Sequence, residues 1–351
     1  MPSPPFKGLL VGLGVMGSYH LRVLSSLRTV ELVGVVDPSA ERRAAVARTH
    51  PHVPGFETLE DALAATAPDF AGIAAPVGLL PELAIAALEA GLGVLVEKPL
   101  APDEPAGLEI LRAAERTGGT LAVGHVERFN PAVRALKERL DAGEGGRVFQ
   151  IHARRLSPFP FRQSMTGVAL DLATHDLDLI RYLTQSEVSR VYAETASRAP
   201  GSAEDLVSAS LRLDNGVTGV LDVNWLTPTK VRELSVTAEG GMWVVNYLTQ
   251  DLSFYENPRK SIEWDTLGVV RGTGEGDMTR FAIERREPLL VEWESFVERL
   301  ATGSGPSATG QDGFAALSIA TAIQRSGAAH EPVTPGYREP AAQPSPALGV
   351  E

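Results

Sequence analysis

Two apolar patterns alternate along the first third of the chain: short unbroken runs, and longer segments in which apolar residues recur every three to four positions. The short runs predict buried strands and the longer segments predict amphipathic helices. Such alternation indicates a doubly wound α/β domain with a parallel sheet, which we expect to cover residues 1–124. The predicted strands lie at about 7–12, 30–37, 70–75, 92–96 and 120–124, and the predicted helices at about 17–27, 39–48, 57–66, 81–90 and 103–117.

Beyond Gly124 the pattern is that of an α+β domain, expected over 125–338. It predicts a large, mostly antiparallel open sheet backed by helices, with hairpin turns at Asn215-Gly216 and Gly240-Gly241. The tail 339–351 repeats Pro, Ala and Ser, and we expect it to be disordered. The predicted strands lie at about 147–155, 188–197, 204–214, 217–226, 231–238, 241–247 and 250–256, and the predicted helices at about 130–142, 167–184, 287–302 and 311–327.

A glycine-rich turn joins the first predicted strand to the first predicted helix. Gly12, Gly14 and Gly17 form Gly-Leu-Gly-Val-Met-Gly after an apolar run, and Asp37 ends the next apolar run. Gly12 permits the tight turn, Gly14 lets the backbone approach a pyrophosphate, and Gly17 lets the helix pack close to the strand. The helix start favours phosphate, and a carboxylate about 20 residues past Gly17 can bind the ribose hydroxyls. The turn therefore predicts a dinucleotide site, and Asp37 favours NAD over NADP.

Composition narrows the possible partners. The chain has 351 residues, of which 44% are hydrophobic, and contains no cysteine. Thiolate catalysis and disulfides are thereby excluded, and a cytoplasmic location is expected. The formal charge of −12 disfavours nucleic acid and anionic membranes, and no run reaches the roughly 20 apolar residues that span a bilayer. We therefore expect a small-molecule substrate, which needs a local basic region if it is an anion.

Glu97 and Lys98 follow the predicted strand at about 92–96. Ligands of open α/β sheets bind outside the carboxyl ends of strands, so Lys98 is expected near the nicotinamide. Partial desolvation there would make it a hydrogen-bond donor or proton carrier. The alternative interpretation is a surface Glu–Lys turn.

Asp171 and His175 are four residues apart in the helix predicted at about 167–184 and should project from one face. A histidine is a natural general base near neutral pH, and an acid one turn away can orient it or relay its proton. The alternative is a structural Asp–His pair. We predict no metal site, because no second histidine cluster offers further ligands. His20 has no evident interaction partner in the sequence and is interpreted as a structural or surface residue.

Several basic and polar residues lie near the predicted domain junction and in the second sheet. Arginines and lysines of this kind can hold a diphosphate, and pockets often form between domains. Solvated strand edges are the alternative at each position. The candidate substrate-binding residues are Arg128, Asn130, Arg155, Arg162, Lys230 and Arg232.

Together these motifs resemble the Gfo/Idh/MocA oxidoreductases over about residues 6 to 335. The resemblance implies that Lys98 binds the reacting hydroxyl and the nicotinamide ribose, that the bond to Pro99 is cis, and that Asp171 and His175 complete the catalytic site. It rests on the glycine turn, Asp37, Glu97-Lys98-Pro99, Arg128-Phe-Asn130-Pro131 and Asp171-x₃-His175. The expected NAD-binding residues are Gly12, Gly14, Val15, Met16, Gly17, Asp37, Pro76, Glu97 and Lys98.

A narrower likeness to the UDP-N-acetylglucosamine 3-dehydrogenase branch lies in the segments starting at Gly124, Ala153 and Asn224. It implies oxidation of a sugar C3 hydroxyl. Pro76 is followed by Val-Gly-Leu-Leu, whereas many relatives have a histidine there, so that edge of the nicotinamide pocket is apolar. The alternatives are an inositol or free-sugar dehydrogenase of the same family and a non-catalytic NAD-binding regulator.

The second sheet is expected to have helices on one side only. Its other face is predicted to carry the apolar residues that alternate along one strand, namely Val217, Gly219, Leu221, Val223 and Trp225. An apolar face of this kind usually marks a partner surface. We therefore expect a homodimer or homotetramer that packs sheet to sheet, as family relatives do.

Overall fold

The computed structural model describes residues 5–159, 166–198, 203–258 and 276–338. Arg162 and the tail 339–351 lie outside the described residues. Within the described part of the chain, no helix has both the length and the apolar character that crossing a bilayer requires.

The first sheet is parallel throughout, with the strand order β3-β2-β1-β4-β5-β6. The order reverses between β1 and β4, and ligands of such sheets bind at this switch point. The doubly wound prediction is confirmed, although the two-residue β3 was not predicted. The strands are β1 Phe6–Val11, β2 Val30–Val36, β3 Gly55–Phe56, β4 Phe70–Ile73, β5 Gly93–Glu97 and β6 Leu121–Gly124, and the helices are α1 Val15–Leu24, α2 Ala40–Thr49, α3 Leu59–Ala65, α4 Leu80–Glu89 and α5 Glu104–Thr117.

Local signals explain where these helices begin and end. The side chains of Ser39, Thr58 and Asp103 accept hydrogen bonds from main-chain N–H groups in the first turns of α2, α3 and α5. Gly118 ends α5 in the left-handed conformation, with φ of 65°. The strands of this sheet are apolar over most of their length because helices cover both faces.

The second sheet has eight strands in the order β14-β13-β12-β11-β7-β10-β9-β8. Only the β7–β10 pair among the described strands is parallel, so the predicted α+β class is confirmed. The strands are β7 Val148–Leu156, β8 Val188–Ala196, β9 Leu206–Leu213, β10 Thr218–Asn224, β11 Val231–Ala238, β12 Gly241–Asn246, β13 Asp251–Glu256 and β14 Met278–Arg280, and the helices are α6 Pro131–Asp141, α7 Thr174–Thr184, α8 Pro288–Thr302 and α9 Gly310–Ala329.

The predicted face assignment of this sheet is wrong. Leu221, Val223 and Trp225 belong to the core beneath the helices and do not lie on the open face. On the open face the strand registers instead align a row of mostly small or polar side chains. This row, from β8 to β13, consists of Tyr192, Ser210, Val220, His152, Ser235, Val244 and Ser253.

Helix α8 packs on the first sheet, although its residues follow the second sheet in sequence. Trp293 and Phe296 are buried against Phe70 of β4, with ring centroids 5.6 and 5.7 Å from it. A Cβ at Gly72 would lie 2.6 Å from the Trp293 ring, so glycine makes room for this indole. One helix of the predicted 125–338 unit thus belongs to the layer of helices that covers one face of the first sheet. The domain boundaries 1–124 and 125–338 stay a prediction.

Candidate functional site

A cleft of about 650 Å³ opens at the switch point of the first sheet and reaches the start of α7. It brings together all three predicted catalytic residues and eight of the nine predicted cofactor residues, all except Gly17. Arg42, Ala74, Ala75, Val126 and Glu127 also line the cleft and were not among the predicted site residues. The predicted residues in the lining are Gly12, Gly14, Val15, Met16, Asp37, Pro76, Glu97, Lys98, Asp171 and His175.

The glycine turn has a shape that suits a pyrophosphate. Gly12 has φ of +93°, and a Cβ there would lie 2.5 Å from the carbonyl oxygen of Ala74. Gly17 packs so closely that a Cβ would collide with the carbonyl oxygen of Gly12. At Gly14, by contrast, a Cβ would meet no described atom within 4 Å, so the main chain faces open space. No side chain of the described residues caps α1, which leaves its first N–H groups directed at this space.

Asp37 is buried at the ribose end of the cleft, with 3% of its surface exposed. Its carboxylate accepts hydrogen bonds from the main-chain N–H groups of Leu13 (2.8 Å) and Ser39 (2.9 Å). The Arg42 guanidinium lies 3.3 Å away and also lines the cleft. A carboxylate has about four acceptor positions, so Asp37 keeps capacity for a ribose hydroxyl. The glycine turn and Asp37 therefore fit the pyrophosphate and the ribose of an NAD molecule.

Lys98 extends from the end of β5 toward the second domain. Its Nζ donates a hydrogen bond of 2.6 Å to the main-chain carbonyl of Asp171 and lies 3.2 Å from that residue's Oδ1. The Lys98–Pro99 peptide bond is cis, as the resemblance implies. The alternative of a surface turn does not describe Lys98, because its side chain is only 15% exposed.

The helix predicted at 167–184 is not a single α-helix. A π-helical turn spans Ala169–Ala173, and α7 begins at Thr174. Such widened turns occur frequently at functional sites. Asp171 and His175 both face the cleft, as their spacing predicts, but the Asp171 carboxylate pairs with Lys98. Among the described residues no hydrogen bond joins Asp171 to His175, so the structure supplies no direct support for the predicted relay.

His175 is held in a strongly electropositive setting. Its Nδ1 is buried and has no hydrogen-bond partner among the described residues. Burial, followed by the positive charges of Lys98 and Arg155, lowers the pKa of His175 well below its ordinary value of 6.5. The imidazole is therefore neutral near pH 7 and can accept a proton.

Glu97 takes part in a buried network that sequence reasoning missed. Its Oε1 lies 2.8 Å from His20 Nε2, and its Oε2 accepts the main-chain N–H of Lys98 at 3.1 Å. Trp293 Nε1 donates to His20 Nδ1 at 2.9 Å. His20 therefore has two partners that the sequence did not reveal, and of the two predicted alternatives, structural or surface, the structure shows the structural one. No local pattern links residues so far apart in the sequence.

Arg128 and Asn130, predicted to bind substrate, make internal contacts. Arg128 forms a two-pronged pair with Asp178, at 2.7 and 2.5 Å, and lies 3.3 Å from Asp312. Asn130 caps α6 and donates to the main-chain carbonyl of Tyr247. These contacts join the turn after β6 to α7, to α9 and to the residue that follows β12. Substrate binding by either residue stays a prediction.

Arg155 and Arg232 lie directly opposite each other on β7 and β11. Arg155 is paired with Asp176 (2.6 Å) and with Glu127 (3.2 Å), and Glu127 lines the cleft. Arg232 is 9% exposed and donates only to neutral acceptors: the carbonyls of Leu156 and Val231 and the Ser157 hydroxyl.

The charge of Arg232 is therefore not offset by a direct carboxylate contact within the described residues. Burial and the positive charge of Arg155 lower the pKa of Arg232 to about 10. Lys230 lies exposed in the loop before β11. None of the predicted substrate residues that the structure describes lines the cleft directly. Arg155 is connected to the cleft only indirectly, because it donates a hydrogen bond to Glu127, which lines it.

Comparison with protein families decides the assignment of the fold. Residues 6–125 match the family described as "Oxidoreductase family, NAD-binding Rossmann fold", and residues 133–244 match the GFO/IDH/MocA C-terminal domain. The chain belongs to the GFO/IDH/MocA family. It is thus an NAD-binding dehydrogenase of this family, and the predicted cofactor is confirmed.

The relatives of this oxidoreductase include inositol dehydrogenases and a nucleotide-sugar dehydrogenase. Inositol 2-dehydrogenase 1 of Saccharopolyspora erythraea is 30% identical over 352 residues, covering 96% of this chain and 97% of the relative. Inositol 2-dehydrogenase of Corynebacterium glutamicum is 31% identical over 223 residues, covering 61% of this chain and 66% of the relative.

A nucleotide-sugar relative is UDP-N-acetylglucosamine 3-dehydrogenase of Acidithiobacillus ferrooxidans, which is 29% identical over 297 residues, covering 83% of this chain and 88% of the relative. A solved structure of that enzyme superposes with a TM-score of 0.81 at 26% identity, covering 92% of this chain and 97% of the other.

Proposed function

We propose that this dehydrogenase oxidises the C3 hydroxyl of a UDP-linked N-acetylhexosamine to a ketone, with NAD as the acceptor. The observation that supports this proposal is Arg232, a nearly enclosed cation that lies near enough to the cleft for its charge to act on His175 and that has no direct carboxylate partner among the described residues. A buried charge is costly unless it is paired. A substrate that carries its own anion, such as a diphosphate, would supply the missing partner, whereas inositol would not.

Each part of the cleft has a task in this reaction. The turn from Gly12 to Gly17 and the start of α1 hold the pyrophosphate, and Asp37 holds the adenosine ribose. NAD, when bound, accepts the hydride that leaves C3. Lys98 donates a hydrogen bond to the reacting oxygen, and Asp171 keeps the Lys98 ammonium in place. His175 accepts the hydroxyl proton as the C=O bond forms, because its imidazole is neutral.

The test of substrate charge compares two arginines whose side chains face opposite sides of the second sheet. Arg232→Met should raise KM for UDP-N-acetylglucosamine about tenfold or more while changing kcat less, because it removes a remote binding contact. Arg154→Met is the matched control, since Arg154 lies on the open face and pairs with Glu233 at 3.2 Å. Equal KM values for the two variants would contradict the role given to Arg232.

We also propose that the protein is a homodimer or homotetramer and that the open face of the second sheet is the contact surface. The apolar residues first assigned to that face do not support this proposal, because they lie in the core. Its support is the row of mostly small or polar side chains from Ser210 to Ser253, against which a second copy of the sheet can pack.

A further inference from the structure

Four buried acidic or histidine side chains from four different elements lie near Lys98, and of these only Glu97 also lines the cleft among the described residues. They are Glu97 at the end of β5, His125 directly after β6, Asp178 in α7 and Glu292 in α8. All four are buried; His125 is 2% exposed and Glu292 is 1% exposed. Neither His125 nor Glu292 has a part in the reaction described above.

These two residues carry unsatisfied polar atoms. Within the described residues, both ring nitrogens of His125 and both carboxyl oxygens of Glu292 have no hydrogen-bond partner. Buried polar atoms in proteins nearly always bond to protein groups or to ordered water. Asp178 lies near both residues, so their unsatisfied atoms indicate a ligand small enough to be enclosed beside it.

The surrounding contacts fix where this region lies. A Cβ at Gly124 would be 3.2 Å from the Glu97 carboxyl group, so that carboxyl adjoins the residue before His125. His125 Nδ1 is 4.0 Å from Asp178 Oδ2, which is too far for a direct hydrogen bond. Helix α8, which carries Glu292, packs on the turn Val126–Phe129. Glu97 in turn accepts the main-chain N–H of Lys98.

The charges around Glu292 favour its neutral form. Burial, and then the negative charges of Glu97 and Asp178, raise the pKa of Glu292 well above its ordinary value of 4.5. Burial likewise lowers the pKa of His125, against the charge of Asp178. A neutral carboxyl and a neutral imidazole each offer a donor and an acceptor. Together with the nearby carboxylates they supply the two to four partners that a buried water requires.

We propose that Glu97, His125, Asp178 and Glu292 enclose a buried water site, and that Glu292 acts through this water as a positioning residue for Glu97 and Lys98. The water forms the hydrogen bonds that these side chains are too far apart to form directly. Glu97 then holds Lys98 in position by accepting its main-chain N–H. This inference rests on the catalytic role given to Lys98 in the proposed function.

The first test is a crystal structure of the full chain at a resolution that shows ordered water. We expect at least one water within about 3.2 Å of both a Glu292 oxygen and a His125 nitrogen. A dry site, in which these side chains contact each other directly, would overturn the proposal. This measurement needs no substrate, so it stands even if no sugar is oxidised and the proposed function fails.

The second test compares two replacements of the acid. Glu292→Gln keeps a neutral donor and acceptor and should retain kcat within about twofold, whereas Glu292→Leu should lower kcat about tenfold or more. The Kd for NAD should change much less than kcat in either variant, because the glycine turn and Asp37 are untouched. Wild-type kcat in the leucine variant would show that the acid positions nothing. Equal losses in both variants would show that its proton is transferred, which also contradicts the proposal.

If the leucine variant does not fold, His125→Leu replaces it, because it removes the other unpaired group of the same water site. It should reproduce the loss of kcat, with a much smaller change in the Kd for NAD. Full activity in this variant would overturn the proposal.

Discussion

Lys98 donates a hydrogen bond of 2.6 Å to the main-chain carbonyl of Asp171, in addition to its contact with the Asp171 carboxylate. The lysine belongs to the first sheet and the carbonyl to the π-helical turn of the second domain. Lys98 thus joins the two halves of the catalytic site. Its hydrogen bond to the main-chain carbonyl does not depend on the side chain at position 171.

This relationship predicts unequal effects of two substitutions. Lys98→Met should lower kcat by about two orders of magnitude or more, the usual weight of a positioned acid–base group. Asp171→Ala should lower kcat by a smaller factor, because the main-chain carbonyl of residue 171 still accepts the hydrogen bond from Lys98. Steady-state kinetics with the substrate, together with the Kd for NAD, checks both variants. An equal loss of kcat in the two would mean that the carboxylate alone positions the lysine.

The neutral imidazole of His175 predicts an unusual pH profile. A general base works only when unprotonated, so the rate falls as the pH drops through its pKa. Because burial and neighbouring cations lower that pKa well below 6.5, kcat/KM of the free enzyme should stay level down to about pH 6.5 and fall only at more acidic pH.

Two variants identify the group that is responsible. His175→Asn should lower kcat by about two orders of magnitude and remove the acidic limb. His52→Asn is the control, since His52 is exposed and does not line the cleft. An acidic limb centred above pH 6.5 in the wild type would contradict the assignment.

Glu292 should make the folded protein less stable as the pH rises. Below about pH 4.5 both the folded and the unfolded state keep its proton; above that, the unfolded state releases it first. The free energy of unfolding then falls by up to about 1.4 kcal/mol per pH unit until the raised folded-state pKa is reached.

Glu292→Gln should remove this contribution, so its gain in Tm over the wild type should grow with pH. Glu298→Gln, in the exposed part of the same helix, is the control and should show no growing gain. Thermal unfolding over a pH series measures both. A gain that does not change with pH would show that Glu292 is ionised in the folded protein.

The open face of the second sheet should carry the contact between copies. Light scattering at micromolar concentration is expected to give a dimer or a tetramer. Val220→Asp lies in the middle of the row of mostly small or polar side chains. It should shift the measured mass toward the monomer, because it would bury a charge in the contact between copies. A wild-type monomer would reject the proposal.

The parts of the site that sequence predicts are local. Gly12, Gly14 and Asp37 follow from the strand–turn–helix pattern, and Lys98 from its place at a strand end. Asp171 and His175 share a face because they are one helical turn apart, even though the first turn is a π-turn. These six residues meet in one cleft, as predicted.

The parts that sequence does not predict depend on long-range packing. His20 and Glu97 are 77 positions apart, and Glu292 reaches the first sheet only because α8 returns to it. The alternation of β10 defines two sets of residues but does not say which set helices cover, and for that reason Leu221 and Val223 were placed on the wrong face. Arg155 and Arg232 are both arginines in predicted strands, yet among the described residues only Arg155 has a carboxylate within reach of a direct pair.

The most direct test of the account measures NADH formation by the wild-type protein with UDP-N-acetylglucosamine, free N-acetylglucosamine and myo-inositol, each over a range of concentrations, with identification of the product. The account predicts that kcat/KM is highest for the UDP-sugar by about two orders of magnitude or more, and that the product is a 3-keto sugar. Oxidation of myo-inositol without oxidation of the UDP-sugar would contradict it and would assign the cleft to a polyol.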